Sequence, residues 1–278
     1  MATVPETMST PGPAAAADEP LLRCEGDTRG VVTLTLNRPR SFNALSEGLL
    51  SALQAQLDAL AGDESARVLV LAGAGKAFCA GHDLREMRAA RPSLDYYQRL
   101  FGQCSRVMLS IRRLPIPVIA RVHGTATAAG CQLVAQCDLA VASSEARFAV
   151  SGVKLGLFCS TPAVALSRNV PQKEAFEMLV TGDFIDAAEA RAQGLVNRVV
   201  APAELDAAVA ELVTNILAKP RVAIAMGKEL FYRQAELGIE AAYDAASQII
   251  ACNMMEPVAL EGVEAFIEKR PPQWGVKT

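Results

Sequence analysis

The feature that most constrains this chain is a series of short apolar runs separated by segments with helical periodicity. Val31 to Leu36 (VVTLTL) is β-branched and apolar, and Asn37-Arg38-Pro39 ends it as a turn ends a strand. Val68 to Leu71 (VLVL), Val118 to Val122 and Asp138 to Ala142 (DLAVA) follow. Strands that are apolar throughout belong in a sheet covered on both faces. Between the first two runs Ser46 stands as an N-cap before Leu49, Leu50, Leu53, Leu57 and Leu60, whose spacing predicts a helix. A second helix is predicted over Leu94 to Arg112, before Pro115-Ile116-Pro117. Gly124 to Gly130 is a run of small residues opening into an apolar helix, Cys131 to Cys137. Strands alternating with helices predict an α/β fold built on a mostly parallel sheet, its right-handed crossovers stacking as a spiral.

The last third reads as helices alone. Asp186 with Glu189 three residues on forms a capping box for a helix through Arg191. Pro202 to Leu217, Pro220 to Gln234, Ile239 to Cys252 and Pro257 to Glu268 are helical by periodicity, and Pro271-Pro272 stops the series. The expected division is a disordered tail over 1–20, a core over 21–201 and a helical region over 202–278. The tail is rich in Ala, Pro, Thr and acid, and lacks Lys, Arg and an apolar stretch, so neither a signal peptide nor a transit peptide is expected.

Charge and composition exclude several classes. A net charge of −3 offers no cationic surface for nucleic acid, and one Trp with four Tyr offers no base-stacking platform. Seven cysteines without a CxxC pair fit reduced thiols in a cytoplasmic protein, with Cys79 and Cys159 placed in turns. Two histidines, His82 and His123, do not make a zinc site of the usual spacing, so no metal is expected. No run is apolar over the length of a membrane span. Neither a phosphate-binding loop nor a dinucleotide fingerprint is present.

Four segments, in order, carry a resemblance: LNRPRSFNALS (Leu36 to Ser46), KAFCAGHDLREM (Lys76 to Met87), VHGTATAAGCQLVAQCDLAVAS (Val122 to Ser143) and VTGDFIDAAEARAQGLVNRVV (Val180 to Val200). With EGVEAFIEKRPPQW near the end, the chain after its tail resembles the enoyl-CoA hydratase/isomerase (crotonase) superfamily. More narrowly, GHDL, TAAGCQLVAQCD and GLFCSTP resemble its "domain-containing protein 3" branch. The resemblance implies a ββα spiral core with a C-terminal helical trimerisation region. It also implies an acyl-CoA thioester as ligand, coenzyme A entering only as part of the substrate, and a homotrimer or dimer of trimers.

Enolate chemistry on a thioester develops negative charge on the carbonyl oxygen, which two preorganised N–H donors stabilise. Such donors need turns of small residues, and FCAGHD and TATAAGC supply them, the second opening directly into a helix. Carried over from the family, the donors are the amides of His82 and Ala129, where the family usually has a small residue and a glycine. The resemblance further implies Arg40, Ser41 and Phe42 along the CoA arm, and Ala80, Asp83 and Leu84 near pantetheine and adenine. Thr127, Val153, Phe158, Cys159 and Ser160 fall on the acyl side, and Phe266 and Lys269 reach a neighbouring subunit's CoA. Asp83 also reads as the N-cap of the segment from Leu84, and Arg85 as either a phosphate contact or a solvated charge.

Hydratases of this family use two glutamates to activate water and deliver a proton. Here their positions are Gln132, in AAGCQLV, and Gly152, in SGVKLG. Neither transfers protons as a carboxylate does, and losing such a group typically costs 10²–10⁴ in rate. His82, whose ordinary pKa lies near neutrality, is one substitute, though its ring could equally face solvent or cap the turn. Cys159 is a candidate nucleophile or an inert buried thiol, Asp183 and Glu86 are weaker candidates, and His123 reads as structural. Three readings stand: an acyl-CoA enzyme with another acid–base group, whether for hydrolysis, double-bond shift or decarboxylation; a non-catalytic acyl-CoA binder; and a partner subunit modulating an active homologue.

Overall fold

The computed structural model describes residues 19–90 and 93–274, so most of the expected N-terminal tail, and residues 275–278, lie outside the described residues. Ten strands occur among the described residues. They are β1 (Leu22–Gly26), β2 (Val31–Leu36), β3 (Val68–Gly73), β4 (Ala77–Cys79), β5 (Val118–Val122), β6 (Thr125–Thr127), β7 (Leu139–Ser143), β8 (Arg147–Ala149), β9 (Ile185–Asp186) and β10 (Arg198–Val200). They form two sheets, one ordered β1-β2-β3-β5-β7-β10 and a smaller one ordered β4-β6-β8-β9.

The larger sheet is parallel apart from the β1–β2 hairpin, and its central pairings follow the apolar runs: Val31 opposite Val68, Leu69 opposite Val118, Ile119 opposite Leu139. Both of its faces are covered. Leu34, Leu36, Leu69, Leu71, Val118 and Ala120 point into the main core with Leu49, Leu53 and Leu57 of the helix Glu47–Ala61. Val68, Val70, Ile119 and Val141 point the other way, against Leu205, Val209 and Val213 of the helix Leu205–Leu217. The helix Glu47–Ala61 starts where its cap dictates, with Ser46 Oγ accepting from the Leu49 N–H at 3.1 Å. Leu94–Arg113 packs along it, burying Leu100, Cys104, Val107 and Ile111.

The smaller sheet departs from expectation. Cys79 is not in a turn: it ends β4 and is fully buried. The small-residue run holds β6, and the helix after it spans Ala129–Gln136, two residues earlier than its apolar pattern indicates. β1, β8, β9, β10 and the helices Ser160–Leu166 and Gln172–Thr181 have no counterpart in the expected pattern.

After Pro202 only helices occur among the described residues, the last three spanning Arg221–Gln234, Ile239–Met254 and Pro257–Ile267. A buried polar junction fastens them to the sheet. Asp138 accepts from the Val118 N–H (2.6 Å), Lys228 Nζ (2.7 Å) and Tyr232 Oη (2.7 Å). Lys228 also donates to the carbonyls of Ile111 and Ile116, so its ammonium is fully engaged away from water. No helix among the described residues is long and apolar enough to cross a membrane.

Candidate active site

Two loops meet where the small sheet approaches the helix Ala129–Gln136. Gly81 is where they touch. A Cβ there would stand 2.9 Å from Ala128 Cβ and 3.3 Å from the Ala129 nitrogen, so only glycine lets the loop after β4 close on the helix start. Beside it, His82 pairs with Leu45 as an isolated parallel bridge. That bridge is made by the Leu45 N–H donating to Gly81 O (2.7 Å) and the Asp83 N–H donating to Leu45 O (3.0 Å). It therefore uses the groups on either side of His82 and leaves the His82 N–H turned the other way.

Ala129 is the first residue of its helix, whose earliest internal bond runs from the Gln132 N–H to Ala128 O. The Ala129 N–H is thus one of the donors that every helix start leaves unspent, in the positive field of the dipole. Among the described residues neither the His82 nor the Ala129 N–H meets a protein acceptor. Ala128 sets the direction of the second donor at a conformational cost, with φ 51° and ψ −120°, a region glycine occupies freely and alanine does not.

Both residues line a cavity of about 310 Å³. Its walls are mainly apolar: Leu84, Met87, Phe101, Leu155, Leu157, Phe158 and Pro162. The polar lining consists of His82, Ser151, Cys159, Ser160 and Thr161, and no carboxylate is among the lining residues. Ser151 Oγ is hydrogen-bonded to Thr127 Oγ1 at 2.9 Å.

His82 is half-buried, and its ring does not cap the turn. It packs edge-on against Phe101, ring centroids 5.2 Å apart, with Nε2 buried and unpartnered among the described residues. Burial pushes its pKa down to about 4, so the imidazole is neutral near pH 7. Cys159 Sγ accepts from the Gly152 N–H at 3.2 Å, and burial raises its thiol above the ordinary value. Gln132 is buried, its Oε1 without a partner among the described residues, but it does not line the cavity.

Of the residues picked from sequence, the cavity brings together His82, Ala129, Gly152, Ala80, Leu84, Phe158, Cys159 and Ser160. Arg40, Ser41 and Phe42 lie outside the lining, in the 3-10 turn Pro39–Ser41 and its cap, and the Ala80 N–H donates to Phe42 O at 3.0 Å. Asp83 caps the helix Leu84–Ala89 by accepting from the Arg85 and Glu86 N–H groups, and it pairs with Arg38 at 2.7 Å. Arg85 is exposed. Val153 lies in the 3-10 turn Ser151–Leu155 but outside the lining. Phe266 and Lys269 belong to the last helix and the turn after it, outside the cavity lining, and Phe266 is 84% exposed.

The alternative acids are elsewhere. Asp183 pairs with Lys154 at 2.6 Å on the surface, and Glu86 accepts from the Glu47 N–H at 3.0 Å. His123 Nε2 is bonded to Gly75 O at 2.9 Å, a structural contact. The lining residues Leu157, Thr161 and Pro162 belong to the GLFCSTP segment singled out from sequence, while Met87, Phe101, Ala128, Ser151 and Leu155 were missed. Of these, Ala128 and Ser151 had a signal, as neighbours of Ala129 and Gly152.

Two unspent amide donors thus border one mainly apolar cavity, and residues 26–277 match the family model described as enoyl-CoA hydratase/isomerase. The chain belongs to that family and has its crotonase α/β fold. It is 66% identical to a crystal structure of an enoyl-CoA hydratase from Mycobacterium smegmatis, covering 93% of this chain and 100% of that one at a TM-score of 0.92. The crystal structure of human enoyl Coenzyme A hydratase domain-containing protein 3 is 41% identical, covering 91% and 100% at a TM-score of 0.88. The mouse mitochondrial enoyl-CoA hydratase domain-containing protein 3 is 44% identical over 263 residues, 95% of this chain and 87% of that protein.

Proposed function

We propose that this chain binds an acyl-CoA thioester with its carbonyl oxygen between the His82 and Ala129 amides and its acyl group in the apolar cavity. The observation that carries the reading is the convergence of two unspent backbone donors on one cavity lined by apolar side chains. Donors fixed in this way stabilise an enolate or tetrahedral oxyanion without reorganising, and each is typically worth about 3–4 kcal/mol of barrier. The reaction is not two-carboxylate hydration, because no lining residue is a carboxylate and Gln132 and Gly152 hold the two positions. Double-bond shift, hydrolysis and decarboxylation share the same oxyanion and remain within the reading.

The second reading, a non-catalytic acyl-CoA binder, is favoured by the same lack of an ionisable acid and by a His82 ring too weakly basic to be charged. Turnover separates the two. Purified protein is titrated with crotonyl-CoA, butyryl-CoA and a panel of other thioesters, following binding and product. Binding with turnover of any panel member supports an enzyme, and binding without turnover the binder. Failure of every thioester to bind overturns both.

Self-association as a homotrimer or dimer of trimers belongs to the proposal. Phe231, Ile239, Tyr243, Met255, Phe266 and Ile267 are exposed on the C-terminal helices, and the helix Arg221–Gln234 buries no residue fully within one chain. A reducing compartment also belongs to it, since all seven cysteines are unpaired, and the cytoplasm is the one proposed. The mitochondrial designation belongs to the names of the animal relatives.

A further inference from the structure

We propose that Cys159 is a covalent acceptor for α,β-unsaturated acyl thioesters, its sulfur adding to the β-carbon of the bound acyl group. This rests on the thioester site proposed above. Of the seven cysteines, Cys159 alone lines the cavity; Cys79, Cys104, Cys131 and Cys137 are buried in the core, and Cys24 and Cys252 are exposed elsewhere. Two features tie the sulfur to the ligand. It stands 2.7 Å from the point a Cβ on Gly152 would occupy, so it crowds the space into which a side chain at that position, where the resemblance places a glutamate, would start to project. The Gly152 N–H, 3.2 Å away, holds it there. The His82 amide, one of the two unspent donors, lines the same cavity with the Ala129 amide, so the sulfur faces the place proposed for the thioester carbonyl.

The step balances with water as the only proton carrier. The Cys159 thiol gives its proton to solvent hydroxide, leaving the thiolate. The sulfur pair forms the S–C bond at the β-carbon while the C=C π pair moves onto the carbonyl, and the resulting oxyanion lies between the His82 and Ala129 amides. The α-carbon then takes a proton from water, which restores the hydroxide. The net change is addition of S–H across the double bond, with the thioester to CoA intact and no change of oxidation state. A saturated acyl group has no acceptor carbon and gives no adduct.

The test is incubation of the full chain with crotonyl-CoA, with butyryl-CoA as the saturated control, followed by intact mass and peptide mapping. Expected is a mass increase equal to the whole crotonyl-CoA molecule, on the Cys159 peptide and absent with butyryl-CoA. Labelling of Cys159 should run about tenfold or more ahead of exposed Cys24 and Cys252. One oxyanion donor alone is worth about 10²–10³ in rate, and the protonated state of a buried thiol takes part of that back. The rate rises with pH, and Cys159→Ala loses this adduct. Because the mapping is done on the unaltered protein, the result stands even if that variant folds poorly. Binding of both thioesters with no adduct, or with labelling no faster at Cys159 than at Cys24, overturns the proposal and leaves the binding site intact. Failure of both to bind overturns the site and this inference together.

Discussion

Cys159 and Gly152 exclude each other's alternatives: the sulfur accepts the Gly152 N–H at 3.2 Å and lies 2.7 Å from where a Gly152 Cβ would project. The Leu157 carbonyl stands closer still to that point, at 2.6 Å, and backbone does not yield as a side-chain tip does. The position that would carry a second glutamate has therefore no room for even a methyl group. Gly152→Ala should lower stability by about 1–3 kcal/mol in denaturant titration. In a Cys159→Ala background the cost should shrink by about 0.5 kcal/mol or more, the sign of two groups competing for one space. Gly152→Glu with Gln132→Glu should accordingly not create a hydratase.

Ala128 should be a site of gain. Its φ of 51° with ψ −120° strains alanine and is open to glycine. Ala128→Gly should raise stability by about 1 kcal/mol, read as an upward shift of the thermal midpoint. A fall would mean that the Cβ, which lies close against Gly81, contributes more by packing than the strained backbone costs.

His82 makes the fold acid-sensitive. Its pKa falls from 6.5 to about 4 on folding, through burial, so below pH 6.5 the unfolded chain takes up the proton that the folded chain refuses. Stability is thus fully present above pH 6.5 and declines as the pH falls toward 4, by up to about 1.4 kcal/mol per unit. His82→Leu should flatten the difference between denaturant midpoints at pH 7 and pH 5. His123 is depressed in the same direction and carboxylates titrate nearby, so only the difference between variant and parent isolates His82.

Asp138 holds the helical region to the sheet. Asp138→Ala would leave the Lys228 ammonium, whose side chain is 7% exposed, without its counter-charge. Breaking such a pair typically costs about 3–5 kcal/mol. Amide exchange should accelerate first in the helix Arg221–Gln234, which Lys228 and Tyr232 anchor.

What could be read in advance follows the range of the interaction. The helix Glu47–Ala61 was legible because its cap and its five buried leucines are local. β2, β3, β5 and β7 were legible as apolar runs, since a sheet covered on both faces needs nothing polar between. The second sheet was not legible: its strands are two or three residues long and exist only through pairing with distant partners, as Cys79 with Ala126 and Phe148 with Ile185. The site divides in the same way. The family resemblance of the small-residue loops pointed to His82 and Ala129, but nothing local to Phe101 marks it as the wall against which the His82 ring packs. That burial, not the residue type, sets the ring's basicity.

The measurement that tests the central claim most directly is the infrared carbonyl stretch of butyryl-CoA carrying ¹³C at the thioester carbon, free and bound to the protein. Two backbone donors on the oxygen should move the band of the bound ligand to lower frequency, and the move should survive His82→Leu, because that donor is main chain. A bound thioester whose carbonyl band stays at its aqueous position would contradict the account.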